Sequence, residues 1–390
     1  MVREPAAENE TILFGVTSSQ SLRLLGKIPR AMSEIGYNVW VVSGDTASEA
    51  PRDLDGIEIH IVPMTRNPSP LKDLHSFVRW ILLLSRLKPA IVVIGTPKAS
   101  LIGMLAALCC QVPVRVYQLR GLRLQTVSGP ARNVLSFLEW ITAKCSTNIL
   151  AVSNSLKNEY CRLGLSQAEK IEVLGLGSSH GVDVTYFHPT RWSGWEPPEP
   201  KLKQAKGGKT PVIGFVGRFS QDKGAEELLQ CSQGLLEAGI AHTILIIGPI
   251  EGDEEALNEL RRINRNNIIT GLVDDVAPYY SWMDLLILPT HREGFPNAIL
   301  EAAASGVPAV TTDATGAIDS VIDGQTGMIV PSHDGHALGA AVIGLVTDPL
   351  LLEKMGSNAR SWVVSQFDSE HVTKNHSVYL TQKIRPKIFP

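Results

Sequence analysis

The chain has little that would anchor it in a bilayer or suit it to an oxidising compartment. Its most apolar stretch, residues 81–110, is broken by Arg86, Lys88 and Lys98. No run approaches the roughly 20 apolar residues that a spanning helix needs. A helical integral membrane protein is thereby excluded, and a soluble or peripheral one is expected. Met1 to Glu10 is charged and polar where a secretory leader needs an apolar core, so no leader is expected there. The five cysteines (Cys109, Cys110, Cys145, Cys161 and Cys231) contain no C-x-x-C pair and no framework spacing. They read as reduced, mostly buried thiols in a cytosolic protein. No G-x-x-x-x-G-K-[ST] segment supports P-loop chemistry. No His/Cys ligand cluster is apparent in the sequence, and Asp274-Asp275 reads as a loop acid pair, so no metal cofactor is expected.

What is present is material for burial. The 390 residues, 44% apolar and 19% charged, exceed one ordinary core and imply two soluble domains. In the first half, short branched runs alternate with amphipathic stretches: ILFGV (12–16), NVWVVS (38–43), IEIHIV (57–62), AIVVIG (90–95), VRVYQL (114–119) and NILAVS (148–153). Helical segments such as LRLLGKIPRAMSEIG and LKDLHSFVRWILLLSRL lie between them. Strands alternating with helices predict an α/β protein built on parallel, doubly wound, Rossmann-like sheets. The pattern lapses over residues 189–210, rich in Pro, Gly and Lys, which read as a linker or insertion. It restarts with PVIGFVG (211–217), HTILIIG (242–248), NIITGLV (267–273), DLLILP (284–289), PAVTT (308–312) and GMIVP (327–331). The expected organisation is a domain over 1–188, a linker over 189–210 and a second domain over 211–365. A C-terminal helix over 366–390 is expected to pack back on the first domain. Such a pair makes a clamp, with ligands beyond the carboxyl ends of the strands.

Charge is divided unevenly. From His60 to Lys170 there are 14 Lys and Arg against 4 Asp and Glu, while from Tyr186 onward the counts are 17 and 24. The basic half suits an anionic partner, or presents a solvated helical face.

Two segments of the second half carry chemistry. In GFVGRFSQDKG (214–224) a strand leaves through Gly217 into a loop holding Arg218 and Lys223, just before a helix near Ala225. Helix-start amides and two cations suit a diphosphate; alternatively, both cations are solvated surface charges. In HREGFPNAILEAAASGVPAVTTD (291–313), Pro296 marks a helix start and Gly306 with Pro308 its end. Glu293 lies in the loop and Glu301 about one turn inside the helix. Side chains lean toward a helix's N-terminus, so Glu301 looks back toward the loop. One carboxylate accepting adjacent hydroxyls suits ribose, and another can hold a sugar hydroxyl. The amides of Gly294, Phe295, Asn297 and Ala298, placed by the turn at Pro296, would meet phosphate. The plain alternative is a capping pair on an ordinary helix.

Taken together, these segments resemble the large retaining glycosyltransferase family four, of GT-B fold, whose E-x7-E signature corresponds to Glu293 and Glu301. The similarity extends to VSNSLKNEYCRLGL, GSSHGVDVTYFHP (177–189) and GLVDDVAPYYSWMDLLILP (271–289), and so covers nearly the whole chain. The resemblance implies that Arg218 and Lys223 bind the nucleotide diphosphate and stabilise the leaving group. It implies that Glu293 contacts the transferred sugar, that Glu301 contacts the ribose and that the base packs near Gly271 to Val273. The implied reaction is transfer from a nucleotide sugar, UDP favoured, with retention and with no metal or other cofactor.

In the first half, PMTRNPSPLKDL, GTPKASLIGMLAAL and VRVYQLRGLRLQTVSG resemble a bacterial branch that extends sugars on undecaprenyl-diphosphate carriers. The implied acceptor is a polyprenyl-diphosphate-linked saccharide. Where many members have a histidine this chain has Arg120, with Arg123 close behind; a guanidinium is no base at neutral pH but can grip a diphosphate. Lys98 is a third candidate for the acceptor. After the first strand, Thr17, Ser18 and Ser19 replace a glycine pair, and Ser18 and Ser19 are candidates for donor or acceptor phosphate or simply cap a helix. Basic residues beside Phe77, Trp80 and Leu82 suggest a peripheral site on an anionic inner membrane face. Nucleic acid is not an expected partner. The competing readings are a nucleotide-sugar epimerase of GT-B-like fold, a transferase using a soluble acceptor and a catalytically silent partner of another transferase.

Overall fold

The alternation of branched and amphipathic stretches resolves into two parallel sheets in the computed structural model, which describes residues 10–46, 51–65 and 67–383. The first sheet holds β1 (Thr11–Gly15), β2 (Asn38–Ser43), β3 (Ile59–Ile61), β4 (Ile91–Gly95), β5 (Val114–Leu119), β6 (Asn148–Ala151) and β7 (Ile171–Val173). Their order is β3-β2-β1-β4-β5-β6-β7. The second holds β8 (Val212–Val216), β9 (Thr243–Ile247), β10 (Ile268–Gly271), β11 (Leu285–Leu288), β12 (Ala309–Thr312) and β13 (Gly327–Val330), in the order β10-β9-β8-β11-β12-β13. Helices cover both faces, so central strands such as β4 and β11 are buried throughout, which is why they read as unbroken apolar runs. Each sheet starts at its centre, winds to one edge and resumes on the other side. The reversal falls between β1 and β4 in one sheet and between β8 and β11 in the other. Ligands settle beyond the strand ends at such points.

The chain divides into two compact units, the first running to Gly181 and resuming at Ser369, the second spanning Val182–Asp368. The crossing therefore falls inside the stretch 177–189 and ahead of the expected boundary at 188. Residues 189–210 are not a linker, because apolar contacts bind them to the second unit. Within them Pro200–Gly207 is a helix whose Leu202 is fully buried in that unit's core. Trp195 packs edge-on against Tyr279 and accepts, through its carbonyl, the Trp282 indole at 3.3 Å. At the other end Ser369–Val378 is a helix of the first unit, and Tyr379 and Leu380 join that unit's core beside Leu22, Ile28 and Met32. The first nine residues, Arg66 and the last seven residues of the C-terminal segment lie outside the described residues.

Helix Pro70–Leu87 corrects one expectation. Trp80 is completely buried and Phe77 half-buried, while Leu71, Leu74, Val78 and Leu82 form the exposed apolar face. At 3.6 residues per turn these four share one side and Ser76, Trp80 and Leu84 the other. The face that reaches solvent is therefore not the one carrying the tryptophan.

Candidate active site

β8 ends at Val216, and a loop bearing Gly217 and Arg218 leads through a turn at Gln221–Lys223 into helix Ala225–Glu237. The Gly217 amide stays in the sheet, donating to the Ile247 carbonyl at 2.9 Å. Gly224 lets the next loop approach: its φ is +80°, and a Cβ there would lie 2.1 Å from the Pro289 carbonyl oxygen. The loops after β8 and β11 are thus in direct contact. Asp222 fastens them, its carbonyl accepting from the His291 amide at 3.0 Å and its carboxylate from Arg292 at 3.1 Å.

Beyond β11, Gly294, Phe295 and Pro296 are buried, with the Phe295 ring 5.3 Å from that of Phe367. Pro296 occupies the cap position of helix Asn297–Ala304, and no side chain caps that start. The same holds for helix Ala225–Glu237, so both helices begin with first-turn amides that have no intrahelical acceptor. The far end of the shorter helix closes with Gly306 donating to Ala303 and Val307 to Ala302, both at 2.9 Å. The Glu293 amide donates to the Thr315 carbonyl at 2.8 Å. Gly316, at φ +79°, could not carry a Cβ, which would lie 2.5 Å from the Glu293 carbonyl oxygen. The backbone of Glu293 is therefore fixed from a neighbouring loop.

These loops bring Arg218, Lys223 and Glu293 together. The Lys223 ammonium pairs directly with the Glu293 carboxylate and lies 3.5 Å from the Arg292 carbonyl. Their side chains are only 14% and 20% exposed. Arg218 is more open, bonded to Glu251 at 2.7 Å and 3.6 Å from Asp222. Burial opposes the Arg218 charge, but Glu251, Asp222 and Glu293 outweigh it and raise the pKa. Burial likewise opposes ionisation of Asp222, and the Ser220 hydroxyl, Lys223, Arg218 and Arg292 reverse the balance and lower its pKa. One turn into the next helix, Glu301 accepts the Tyr280 hydroxyl at 2.9 Å. Burial, then the Glu301 charge, holds that hydroxyl protonated well above the usual phenol range. Val273 lies just past β10, half-buried against the core beside exposed Leu272.

Sequence reasoning missed Arg292, Asp222, Tyr280 and the Thr315-Gly316 loop. Arg292 had a signal, since it directly precedes Glu293. The others act through contacts that only the fold creates.

In the first unit, Thr17 spans the reversal between β1 and β4. Its hydroxyl meets that of Thr96 at 2.7 Å and accepts the Ala99 amide at 3.1 Å. Ser18 stands at the cap position of the turn Ser19–Leu25 without making a capping bond. The Ser19 amide is taken by the Asp45 carboxylate at 2.5 Å, and the Ser18 hydroxyl lies 3.3 Å from that of Ser21. Lys98 is also engaged, pairing with Asp73 at 2.8 Å and donating to the Asn67 carbonyl at 2.5 Å. Its ammonium is thus paired in the unliganded chain, as that of Lys223 is with Glu293. Arg123 is exposed on the turn Arg123–Thr126. Arg120, just past β5, donates to Gln118 at 2.5 Å, while its Nε and Nη1 are buried without a hydrogen-bond partner. Burial pulls its pKa down, and no carboxylate pairs with it among the described residues. His180 and His376 are held down to about 4, by burial first and by the Arg120 charge in addition.

Residues 27–202 match the family model described as Glycosyltransferase Family 4, and residues 210–348 the model described as Glycosyl transferases group 1. The capsular polysaccharide biosynthesis glycosyltransferase CapM of Staphylococcus aureus is 37% identical over 96% of this chain and 98% of its own. The chain belongs to glycosyltransferase family four. The enzyme is also 26% identical, over 84% of each chain, to the UDP-Gal:alpha-D-GlcNAc-diphosphoundecaprenol alpha-1,3-galactosyltransferase of Escherichia coli. Its fold is the GT-B fold of glycosyltransferases of solved structure. Anabaena HepE, crystallised with UDP and glucose, superposes with a TM-score of 0.75 over 95% of this chain and 99% of the other, at 18% identity.

In this glycosyltransferase every cation at the ends of β8 and β11 is matched by a carboxylate. An incoming dianion would find two preset positive groups and two uncapped helix starts, and Glu293 would be released toward hydroxyls. Among the described residues no single helix is long and apolar enough to cross a membrane.

Proposed function

We propose that the enzyme transfers a hexose or N-acetylhexosamine from a UDP-sugar to a polyprenyl-diphosphate-linked saccharide, with retention of anomeric configuration and without a metal at the diphosphate. The observation that carries this reading is the Lys223–Glu293 ion pair at the start of an uncapped helix, with Arg218 alongside. Breaking a glycosyl–phosphate bond leaves negative charge on the diphosphate. Arg218, Lys223 and the N–H groups of Gly294, Phe295, Asn297 and Ala298 would meet that charge as it develops, the type of interaction that acts mainly in the transition state. Glu293 would then take a hydroxyl of the transferred sugar, and Glu301, steadied by Tyr280, the ribose. The base would rest near Val273.

The acceptor assignment rests on Arg120. A guanidinium with two buried, unsatisfied nitrogens and no carboxylate suits a diphosphate, with Arg123 and the hydroxyls of Ser18 and Ser19 as further contacts. The exposed stripe Leu71, Leu74, Val78 and Leu82 would rest on an anionic bilayer carrying the lipid acceptor. Exposed Lys72, Arg79 and Arg86 lie on the same helix. One relative is named for capsular polysaccharide biosynthesis and the other for a UDP-Gal donor and a diphosphoundecaprenol-linked acceptor, and the second name favours the same donor and acceptor classes. The test is a panel of nucleotide sugars offered with a short-chain polyprenyl-diphosphate sugar. Mass spectrometry would identify the product and NMR its anomeric configuration. Product of inverted configuration, or an epimerised donor with no transfer, would overturn the reading.

A further inference from the structure

Behind the loop that carries Glu293, the fold assembles a group of side chains scattered in sequence. Glu227 lies on helix Ala225–Glu237, His291 follows β11 and His333 follows β13. Their ligand atoms all lie within 4.8 Å of one another. The His291 Nε2 is 2.9 Å from Glu227 Oε1, the His333 Nδ1 is 3.8 Å from the same oxygen, and the two imidazole centroids are 3.8 Å apart. Glu227 is 7% exposed, and its second oxygen, Oε2, is buried with no hydrogen-bond partner. Asp253, at the start of helix Glu254–Ile263, has a buried and unpartnered Oδ2 as well. Burial first, and then the Glu227 charge, raises the Asp253 pKa, so the two carboxyl groups sense each other.

A buried carboxylate oxygen without a partner is rare in a native fold. The other oxygen of the same carboxylate, Oε1, meets both imidazoles, so one buried Glu227 carboxylate offers a bare oxygen beside two stacked histidine rings. We propose that Glu227, His291 and His333 form a binding site for a single divalent transition ion, Zn²⁺ being the best match. Two imidazoles and one carboxylate form a donor set that binds zinc and leaves a fourth position for water or for Asp253. Calcium and magnesium prefer oxygen donors and suit it less. His333 is 66% exposed, which gives the ion a route in from solvent, while Glu227 gives it a fixed anchor. The role is structural, because the ion would tie helix Ala225–Glu237 and the loop after β13 to His291, two residues before Glu293. It is separate from the diphosphate, whose cations are Arg218 and Lys223, and it stands whether or not the donor assignment holds. No motif marks it, since the three residues lie 64 and 42 positions apart in the chain.

The experiment uses the full chain without a histidine tag, stripped of metal and titrated with Co²⁺ and with Zn²⁺. The expected result is one equivalent of Co²⁺ bound with the intense visible absorption of a low-coordinate site, displaced by Zn²⁺, together with a Zn²⁺-dependent rise in Tm. His333→Ala, at an exposed position, and the isosteric Glu227→Gln should each weaken binding by at least about tenfold, the loss that even an outer-shell partner of a metal ligand can cause. UDP binding by His333→Ala should stay at the wild-type level, which separates this site from the donor site. Absence of saturable Co²⁺ binding, or wild-type metal affinity in folded His333→Ala, would overturn the proposal.

Discussion

Lys223 and Glu293, 70 positions apart in the chain, form an ion pair that closes the gap between the loops following β8 and β11. In the unliganded enzyme each therefore holds the other's place. A bound donor would exchange both partners, giving Lys223 a phosphate and Glu293 a hydroxyl. Lys223→Ala should lower turnover by roughly 10²–10³, about 3–4 kcal/mol, and Arg218→Ala similarly. Glu293→Gln should also lower turnover strongly. The double variant Lys223→Ala/Glu293→Gln should lose much less than the two single losses combined, since the groups act as a unit. Independent, additive losses in steady-state assays would contradict the coupling.

The Tyr280 hydroxyl donates to the Glu301 carboxylate at 2.9 Å and lies 3.3 Å from the Ala298 carbonyl. Tyr280→Phe removes one hydrogen bond to a carboxylate, about 1.5 kcal/mol. Donor KM should rise roughly tenfold with kcat little changed, the signature of lost uniform binding. A fall confined to kcat would place Tyr280 in the chemical step instead.

Arg120 lends itself to a test that separates function from stability. Burying an unpaired charge is unfavourable, so Arg120→Met should leave Tm unchanged or higher. Acceptor KM should nonetheless rise by roughly tenfold or more. Unchanged acceptor kinetics in this variant would remove Arg120 from the acceptor site.

His180 and His376 set the acid limit of the first unit. Both have folded pKa values near 4, below the ordinary 6.5, so both stay neutral in the fold while the unfolded chain takes up protons. Their contribution is complete above about pH 6.5 and is lost as pH falls toward 4, by roughly 3 kcal/mol for each group. Burial works in the opposite sense on Glu139, raising it to about 7 against the lowering effect of the Tyr117 and Tyr160 hydroxyls. Its contribution is present below about pH 4.5 and is lost as pH rises through about 7. Denaturant unfolding of His376→Gln should show a shallower acid limb than the wild type, and Glu139→Gln a flatter slope between pH 5 and 7. An unchanged pH profile in both would contradict these assignments.

Much of this was legible in the sequence, and the omissions have physical causes. Every strand expected from a branched run is present within a residue or two. β7 was overlooked because a three-residue edge strand, Ile171–Val173, carries too little pattern to register. Helix Pro200–Gly207 was read as linker because its proline looked like a breaker, although proline is favoured in a first helical turn. Trp80 was misassigned for another reason. Composition shows that a residue is aromatic, but the core decides whether it remains available. Arg218, Lys223, Glu293 and Glu301 could be singled out because helix starts and loop exits are local signals, and the fold brings Lys223 and Glu293 into contact. The pairing partners Asp222, Arg292 and Tyr280 could not, since long-range packing creates their contacts.

Titration of UDP into the purified enzyme in the presence of EDTA bears most directly on the claim that side-chain cations replace a divalent ion at the diphosphate. The account predicts full affinity for the wild type with EDTA present, and a large loss in Lys223→Ala and Arg218→Ala. UDP binding that disappears with EDTA, or that survives intact in both variants, would contradict it.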